Sequence, residues 1–422
     1  MDIDEIIVIT IIMSHYLLPN TNHNIFTYLD FIESGKQPTP HFSQSFSTFL
    51  YDIKKKLDEH EKDWDIFKRY TNPYEYIHTP VPTKKKSVSK HKPLSRSYFK
   101  MIEMINLFQL HFANSRSINT FHLAEGPGGF IEAVAHMRAA MQTQQEDLYI
   151  GMTILSNDDP NIPAWKKTDH FLKEHKNVYI EVGADRTGNI LSLENLVHCK
   201  NKYGSTMDFI TADGGFDFSM DFNSQEIHIA NLLFAQISFA VTMQKKGGSF
   251  ILKIFDSFMQ HTVDLLYLLS SMYNRVYLVK PRTSRYANSE KYVVCKGFIH
   301  QSNTPFFPYF YNAFKKMTRS SSLPPPPPSF NYMPHFISRF LMIPISSLFT
   351  KKIEEYNAIF GQQQIENIYF TISLIDNKHK QDKIEQLIKA NVQKCIYWCT
   401  KNNVIFNTLI MDNYNVFLDQ YS

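Results

Sequence analysis

Between about Pro93 and Ile299 the chain alternates short apolar runs with longer stretches of helical periodicity, an alternation compatible with few folds. Strands are expected at 119–124, 147–152, 177–182, 207–212, 249–254, 275–279 and 291–297, and helices at 95–112, 128–141, 224–245 and 258–272. Strands joined through helices run parallel, because the crossover returns the chain to the same end of the sheet. The expected architecture is therefore α/β, a mostly parallel sheet with helices on both faces. The last two strands, close in sequence, suggest a hairpin at one edge. Ligands of such sheets bind at the carboxyl ends of the strands, so chemistry is sought there.

At 422 residues the chain is longer than one core usually supports, so extensions at both ends are expected. Residues 1–90 are read as an N-terminal accessory region, with a charged helix over about 51–70 ended by Pro73, Pro80 and Pro82. Residues 91–300 form the central domain. Residues 301–330 are read as a linker or loop, because Pro324 to Pro328 impose a stiff polyproline stretch. Residues 331–422 are read as a C-terminal accessory domain or lid, with a strand over Ile368 to Ile375 and an amphipathic helix from about His379 to Asn402. The apolar run Ile6 to Met13 is too short to span a bilayer and lacks the features of a signal peptide. Four cysteines make no disulfide framework, and Cys395 and Cys399 lack the further ligands of a structural zinc site. A soluble protein of a reducing compartment is expected.

The first segment with chemical promise is 121-FHLAEGPGGFIEAVAHM-137. Gly126, Gly128 and Gly129 permit a tight turn between a strand and a helix beginning near Phe130. The acid Glu125 disfavours a diphosphate there and suits a ligand with a positive or zwitterionic end. Four further ionisable residues stand out: Lys100, Asp213, Lys253 and Glu290. Each has an ordinary alternative. Lys100 could be an exposed helix residue, Asp213 a turn cap before Gly214, and Glu290 a surface partner of Arg285. Lys253, inside 250-FILKIF-255, is harder to dismiss, since an unpaired charge in such a run is costly. From Tyr76 to Ile102 there are seven basic residues and no acid: Lys84, Lys85, Lys86, Lys90, Lys92, Arg96 and Lys100. Such a run attracts phosphate, although Lys84 to Lys86 serve equally as a solvated loop.

Together, 95-SRSYFKM-101, the glycine turn, 211-TADGG-215, 250-FILKIF-255 and 284-SRYANSEKY-292 resemble the heat-shock-type RNA 2'-O-methyltransferases, and within them the mRNA cap-1 branch. Fainter similarity extends to 72-NPYE-75, 151-GMT-153 and 183-GADRTGNI-190. The resemblance implies a Rossmann-like methyltransferase fold and S-adenosyl-L-methionine as cofactor. It implies Glu125, Gly126, Pro127, Gly128, Gly129, Phe130, Thr153, Asp185, Asn189 and Asp213 as the cofactor's neighbours, and Lys100, Asp213, Lys253 and Glu290 as a catalytic tetrad around the ribose 2'-hydroxyl. Two positions depart from the family pattern: Glu125 stands where a small residue is common, and Asn189 where an acid is usual.

Methyl transfer from a sulfonium needs no metal and no covalent enzyme intermediate; it needs the 2'-oxygen aligned and relieved of its proton. Lys253 is the candidate for that task, as a neutral base or as a cation beside the developing alkoxide. The basic run, with Arg282 and Arg285, suggests a phosphodiester track, and the resemblance implies capped mRNA as the partner. The Asn-, Ile-, Lys-, Tyr- and Phe-rich composition resembles that of large cytoplasmic DNA viruses of the African swine fever type. That likeness implies other viral capping or transcription proteins as partners, and residence in the host cytoplasm or the virion. A catalytically silent RNA-binding scaffold is the alternative.

Overall fold

The computed structural model describes residues 15–21, 24–82, 84–110, 117–141, 146–155, 164–215, 224–321 and 336–408. The run Ile6 to Met13 and the prolines 324–328 lie outside these residues. The strands are β1 (His15–Leu17), β2 (Leu29–Ser34), β3 (Asn119–Leu123), β4 (Leu148–Met152), β5 (Val178–Ile180), β6 (Met207–Ala212), β7 (Gln244–Ile254), β8 (Tyr273–Val279), β9 (Lys291–Phe298) and β10 (Phe336–Leu341). The helices are α1 (Gln44–Lys55), α2 (Glu61–Thr71), α3 (Ser97–Phe108), α4 (Gly129–Ala140), α5 (Asp169–Glu174), α6 (Leu193–Tyr203), α7 (Gln225–His228), α8 (Ala230–Met243), α9 (Gln260–Met272), α10 (Phe307–Ser321), α11 (Ser347–Asp376) and α12 (Gln381–Lys401).

The main sheet has the order β1-β8-β9-β7-β6-β3-β4-β5. Strands β3 to β7 pair in parallel where they are neighbours, and β9 runs antiparallel between β7 and β8. The chain winds outward from β3 through β4 to β5, then returns to the other side of β3 with β6. The strand order thus reverses between β3 and β6, and the crevice beyond their carboxyl ends is where a ligand is accommodated.

Alternation along the strands sorts side chains onto two cores. Phe121, Leu123, Ile210, Phe250, Leu252 and Val293 face one core, which α8, α9 and α10 cover. Phe209, Ile251, Tyr292 and Val294 face the other, beneath α3, α4 and α12. Residues on the Ile251 side of the sheet at its carboxyl end therefore point toward α3, the helix that carries Lys100.

Several local expectations are corrected. The helix expected over 51–70 is two, α1 and α2, separated by a short 3-10 turn at Asp58–His60. The stretch 224–245 is divided between α7, α8 and the start of β7. Residues 307–321, expected as linker, form α10, because Phe310, Ala313, Phe314 and Met317 recur at helical spacing and bury against α8. The strand expected over Ile368 to Ile375 lies inside α11. Its β-branched residues mimic a strand in a short window, but the buried series Phe349, Ile353, Tyr356, Phe360, Ile365, Ile368, Thr371 and Ile375 has the period of one long helix.

Both flanks pack into the same cores as the central sheet. β1 extends the sheet by pairing with β8, and β2 pairs with β10 from the other end of the chain. Phe349 and Ile353 belong to the first core, while Trp398 and Cys395 belong to the second. No helix among the described residues is long and apolar enough to cross a membrane.

Candidate active site

The glycine turn begins where β3 ends. Gly128 has φ +107°, a conformation that favours glycine, and a Cβ on Gly129 would lie 2.3 Å from the hydroxyls of Ser95 and Ser97. The turn is thereby pressed against the entry of α3. Glu125 is buried, and one carboxylate oxygen accepts the backbone N–H groups of Phe130 and Ile131 at the start of α4. The other oxygen is buried without a hydrogen-bond partner. Burial, then the proximity of Asp213, push the Glu125 carboxyl well above its ordinary range. Glu125 is thus first a cap on α4, with one unmatched acceptor left over.

Lys100, Asp213, Lys253 and Glu290 come together beyond the ends of β6, β7 and the β8–β9 connection. Lys100 Nζ donates to Glu290 Oε1 at 2.6 Å, a pair 190 residues apart in the chain. Lys253 Nζ donates to the Asp213 carbonyl at 2.6 Å and stands 3.3 Å from Asp213 Oδ1. Tyr292 links the two halves: its hydroxyl donates to Asp213 Oδ1 at 3.0 Å and accepts from Lys100 Nζ at 3.4 Å. Ser284 Oγ donates to Glu290 Oε1 at 2.7 Å.

The electrostatics follow from that constellation. Burial lowers the pKa of Lys100, and Glu290 opposes the shift. Burial works against the Glu290 carboxylate too, but Lys100, Lys253 and Arg96 outweigh it and hold its pKa far below the usual range. Glu290 is therefore an anion at any ordinary pH. Lys253 remains partly open, with 13% of its side chain exposed, against 5% for Lys100. Of the two lysines it is the one an incoming ligand reaches.

Tyr292, Ser284 and Lys280 are parts of this site that the sequence reading missed. Tyr292 had a signal: it lies two residues beyond Glu290 and directly opposite Lys253 in the β7–β9 register, so it shares their face. Lys280 is buried and donates to the Asn288 and Glu290 carbonyls at 2.6 and 2.8 Å and to Asn288 Oδ1 at 2.9 Å. It gathers the loop that carries Glu290. Glu103 holds the same loop from α3, accepting the N–H groups of Arg282 and Thr283 and the indole N–H of Trp398.

The other expected residues lie along the same edge. Thr153 is buried just past β4, and a Cβ on Gly188 would lie 2.0 Å from its carbonyl oxygen. Asp185 Oδ1 accepts from the Thr187 N–H and hydroxyl and from Asn195, while Asn189 Oδ1 accepts the Leu191 N–H. The amide at Asn189 thus completes the 185–191 loop.

Lys85, Lys86, Lys90 and Lys92 are exposed, on a segment tied down by backbone bonds from Val81 to Lys86, Val88 to Tyr76 and Lys90 to Ile405. Lys84 closes the turn back onto Val81. Arg96 has a buried Nη1 without a hydrogen-bond partner. Arg282 is engaged with Tyr74. The guanidinium of Arg285 makes a two-pronged pair with Glu75, at 3.0 and 2.6 Å. Arg285 Nε and Nη2, two of the donors expected to meet phosphate, are thereby engaged by Glu75.

Comparison with known proteins finds a match over the stretch of chain that contains the tetrad. Residues 93–298 match the FtsJ-like methyltransferase family. The chain is 29% identical over 350 residues to cap-specific mRNA (nucleoside-2'-O-)-methyltransferase 2 of Pongo abelii, covering 80% of this chain and 42% of that protein. It is 35% identical over 223 residues to cap-specific mRNA (nucleoside-2'-O-)-methyltransferase 1 of Homo sapiens, covering 48% of this chain and 26% of that protein. The chain thus spans less than half the length of either relative. Among solved structures, a ribosomal RNA methyltransferase from Plasmodium falciparum matches 49% of this chain and 98% of its own, with 21% identity and a TM-score of 0.35.

Proposed function

We propose that this chain, whose residues 93–298 are FtsJ-like, is an S-adenosylmethionine-dependent RNA 2'-O-methyltransferase acting on the first nucleotide of capped mRNA. The observation that carries this reading is the meeting of Lys100, Asp213, Lys253 and Glu290, with Tyr292 between them, at the end of the sheet where the strand order reverses. The similarity to two cap-specific enzymes supports capped mRNA as the substrate.

The residues present suit the cofactor. The unmatched Glu125 oxygen, at the head of the Gly126–Phe130 turn, suits a ligand with a cationic end. Gly126 to Phe130, Thr153, Asp185, Asn189 and Asp213 would hold it along the ends of β3 to β6. When bound it supplies an electrophilic methyl group. Lys253 receives the proton of the 2'-hydroxyl or stands as a cation beside the oxygen as it gains charge. Asp213 fixes the direction of Lys253, and Glu290 fixes Lys100, so the acceptor oxygen meets prepositioned groups.

The test is incubation of the purified chain with methyl-labelled cofactor and capped RNA, beside the same RNA carrying a 2'-deoxy first nucleotide. Label is expected on the first RNA alone. Label on the deoxy RNA would remove the proposed target atom, and label confined to internal positions of uncapped RNA would move the substrate away from the cap. A viral setting, with capping or transcription proteins as partners in the host cytoplasm or virion, rests on composition alone; affinity capture from infected cells tests it.

A further inference from the structure

Away from the tetrad, α4 presents Glu132 and His136 one turn apart, and His91 approaches them from the segment before α3. One ligand atom from each of the three residues can be chosen so that all lie within 4.8 Å of one another. His91 Nε2 and Glu132 Oε1 are 2.8 Å apart. The His91 and His136 rings meet edge-on with centroids 5.0 Å apart, and His175 lies beyond His136 at 5.9 Å. Outer contacts hold the group: Glu132 Oε2 accepts the Leu94 N–H at 2.8 Å, and Tyr98 OH lies 3.3 Å from His136 Nδ1.

We propose that His91, Glu132 and His136 form a site for a divalent transition cation of the zinc type, independent of the methyl-transfer reading. Two imidazoles and one carboxylate are the donor set this class of cation prefers. Zinc–nitrogen bonds of about 2.0–2.1 Å put tetrahedral ligands roughly 3.3 Å apart, within reach of small side-chain rotations here. The cation would take the place of the hydrogen bond between His91 Nε2 and Glu132 Oε1. Three protein ligands leave one position for water.

The placement suggests what such a cation does. His91 stands between Lys90 and Lys92, and Glu132 and His136 stand on the helix that follows the glycine turn. A cation there clasps the basic segment to the helix, adding metal–ligand bonds to a joint otherwise made through Glu132. Half-exposed His91 gives solvent access to the site.

The full-length chain, stripped with a chelator, is titrated with zinc by calorimetry and with cobalt by visible absorption. One equivalent is expected at micromolar affinity or tighter, with the intense absorption of a tetrahedral cobalt site. His91→Ala and His136→Ala should each weaken binding at least about tenfold and abolish the zinc-dependent rise in Tm. Glu132→Gln, which still accepts from Leu94, should weaken binding while keeping the fold by circular dichroism. Absence of stoichiometric binding overturns the proposal. So does undiminished binding in these variants, which would assign the metal to other histidines of the chain.

Discussion

Lys253 and Lys100 carry the same charge but stand in different circumstances. Lys100 is enclosed and spends its proton donors on Glu290 and Tyr292, whereas Lys253 is partly open and directed by Asp213. The difference predicts different losses. Replacing Lys253 with alanine should lower turnover by at least about 10²-fold, the lower end of what a positioned proton-transfer group supplies, with cofactor binding by calorimetry unchanged. Near-normal turnover at saturating RNA would make Lys253 a structural strand-end residue. These residue types and their order were legible in the chain, because each sits at the end of a recognisable strand or in the first turns of a helix. Tyr292 was overlooked only because an aromatic residue in a strand reads as core, which its ring also is.

The loop between β8 and β9 depends on elements far from it in sequence. Lys280 and Glu103 gather it, Gln364 of α11 donates to the Ala287 carbonyl, and Arg285 reaches Glu75 in the turn after α2. Glu75 is buried, and against that burial Arg285, His78 and Asn72 hold its pKa down at about 2. A carboxyl depressed in the fold contributes stability above its ordinary pKa and loses it as pH falls through the folded value. Wild type should therefore lose on the order of 3 kcal/mol between about pH 4.5 and 2 through this group. Glu75→Gln should unfold more readily at neutral pH, and the gap to wild type should close across that acid window in urea titrations. A gap that stayed constant with pH would show that the ionised carboxylate is not what anchors the loop.

The exposed lysines at 85, 86, 90 and 92 stand on the segment that leads into α3, the helix that carries Lys100. If RNA runs along that segment, neutralising Lys84, Lys85, Lys86, Lys90 and Lys92 together should weaken RNA binding and flatten its dependence on salt. Each lost single-strand phosphate contact lowers the slope of log K against log salt by roughly 0.7. Cofactor affinity should hold, since these residues precede the glycine turn. An unchanged slope, measured by fluorescence anisotropy across a salt series, would leave Arg96 and Arg282 to guide the strand. The shared cores have a related consequence: α11 and α12 buttress the site rather than swing over it, because Trp398 and Phe349 are buried in the same clusters as the sheet.

The alternation of periods 2 and 3.6 was enough to specify a mostly parallel sheet, its covering helices and the strand ends where the ionisable residues fall, because those signals are local and repeat within a few residues. The short window failed where an apolar run was ambiguous, as at Ile368 to Ile375, and only the length of α11 resolved it. Which charges meet was decided by the fold. Lys100 with Glu290, Glu75 with Arg285, and His91 with Glu132 are separated by 190, 210 and 41 residues, and no periodicity encodes such pairs. Each is imposed by strand order and helix packing, which place distant segments side by side and make an unpaired buried charge costly.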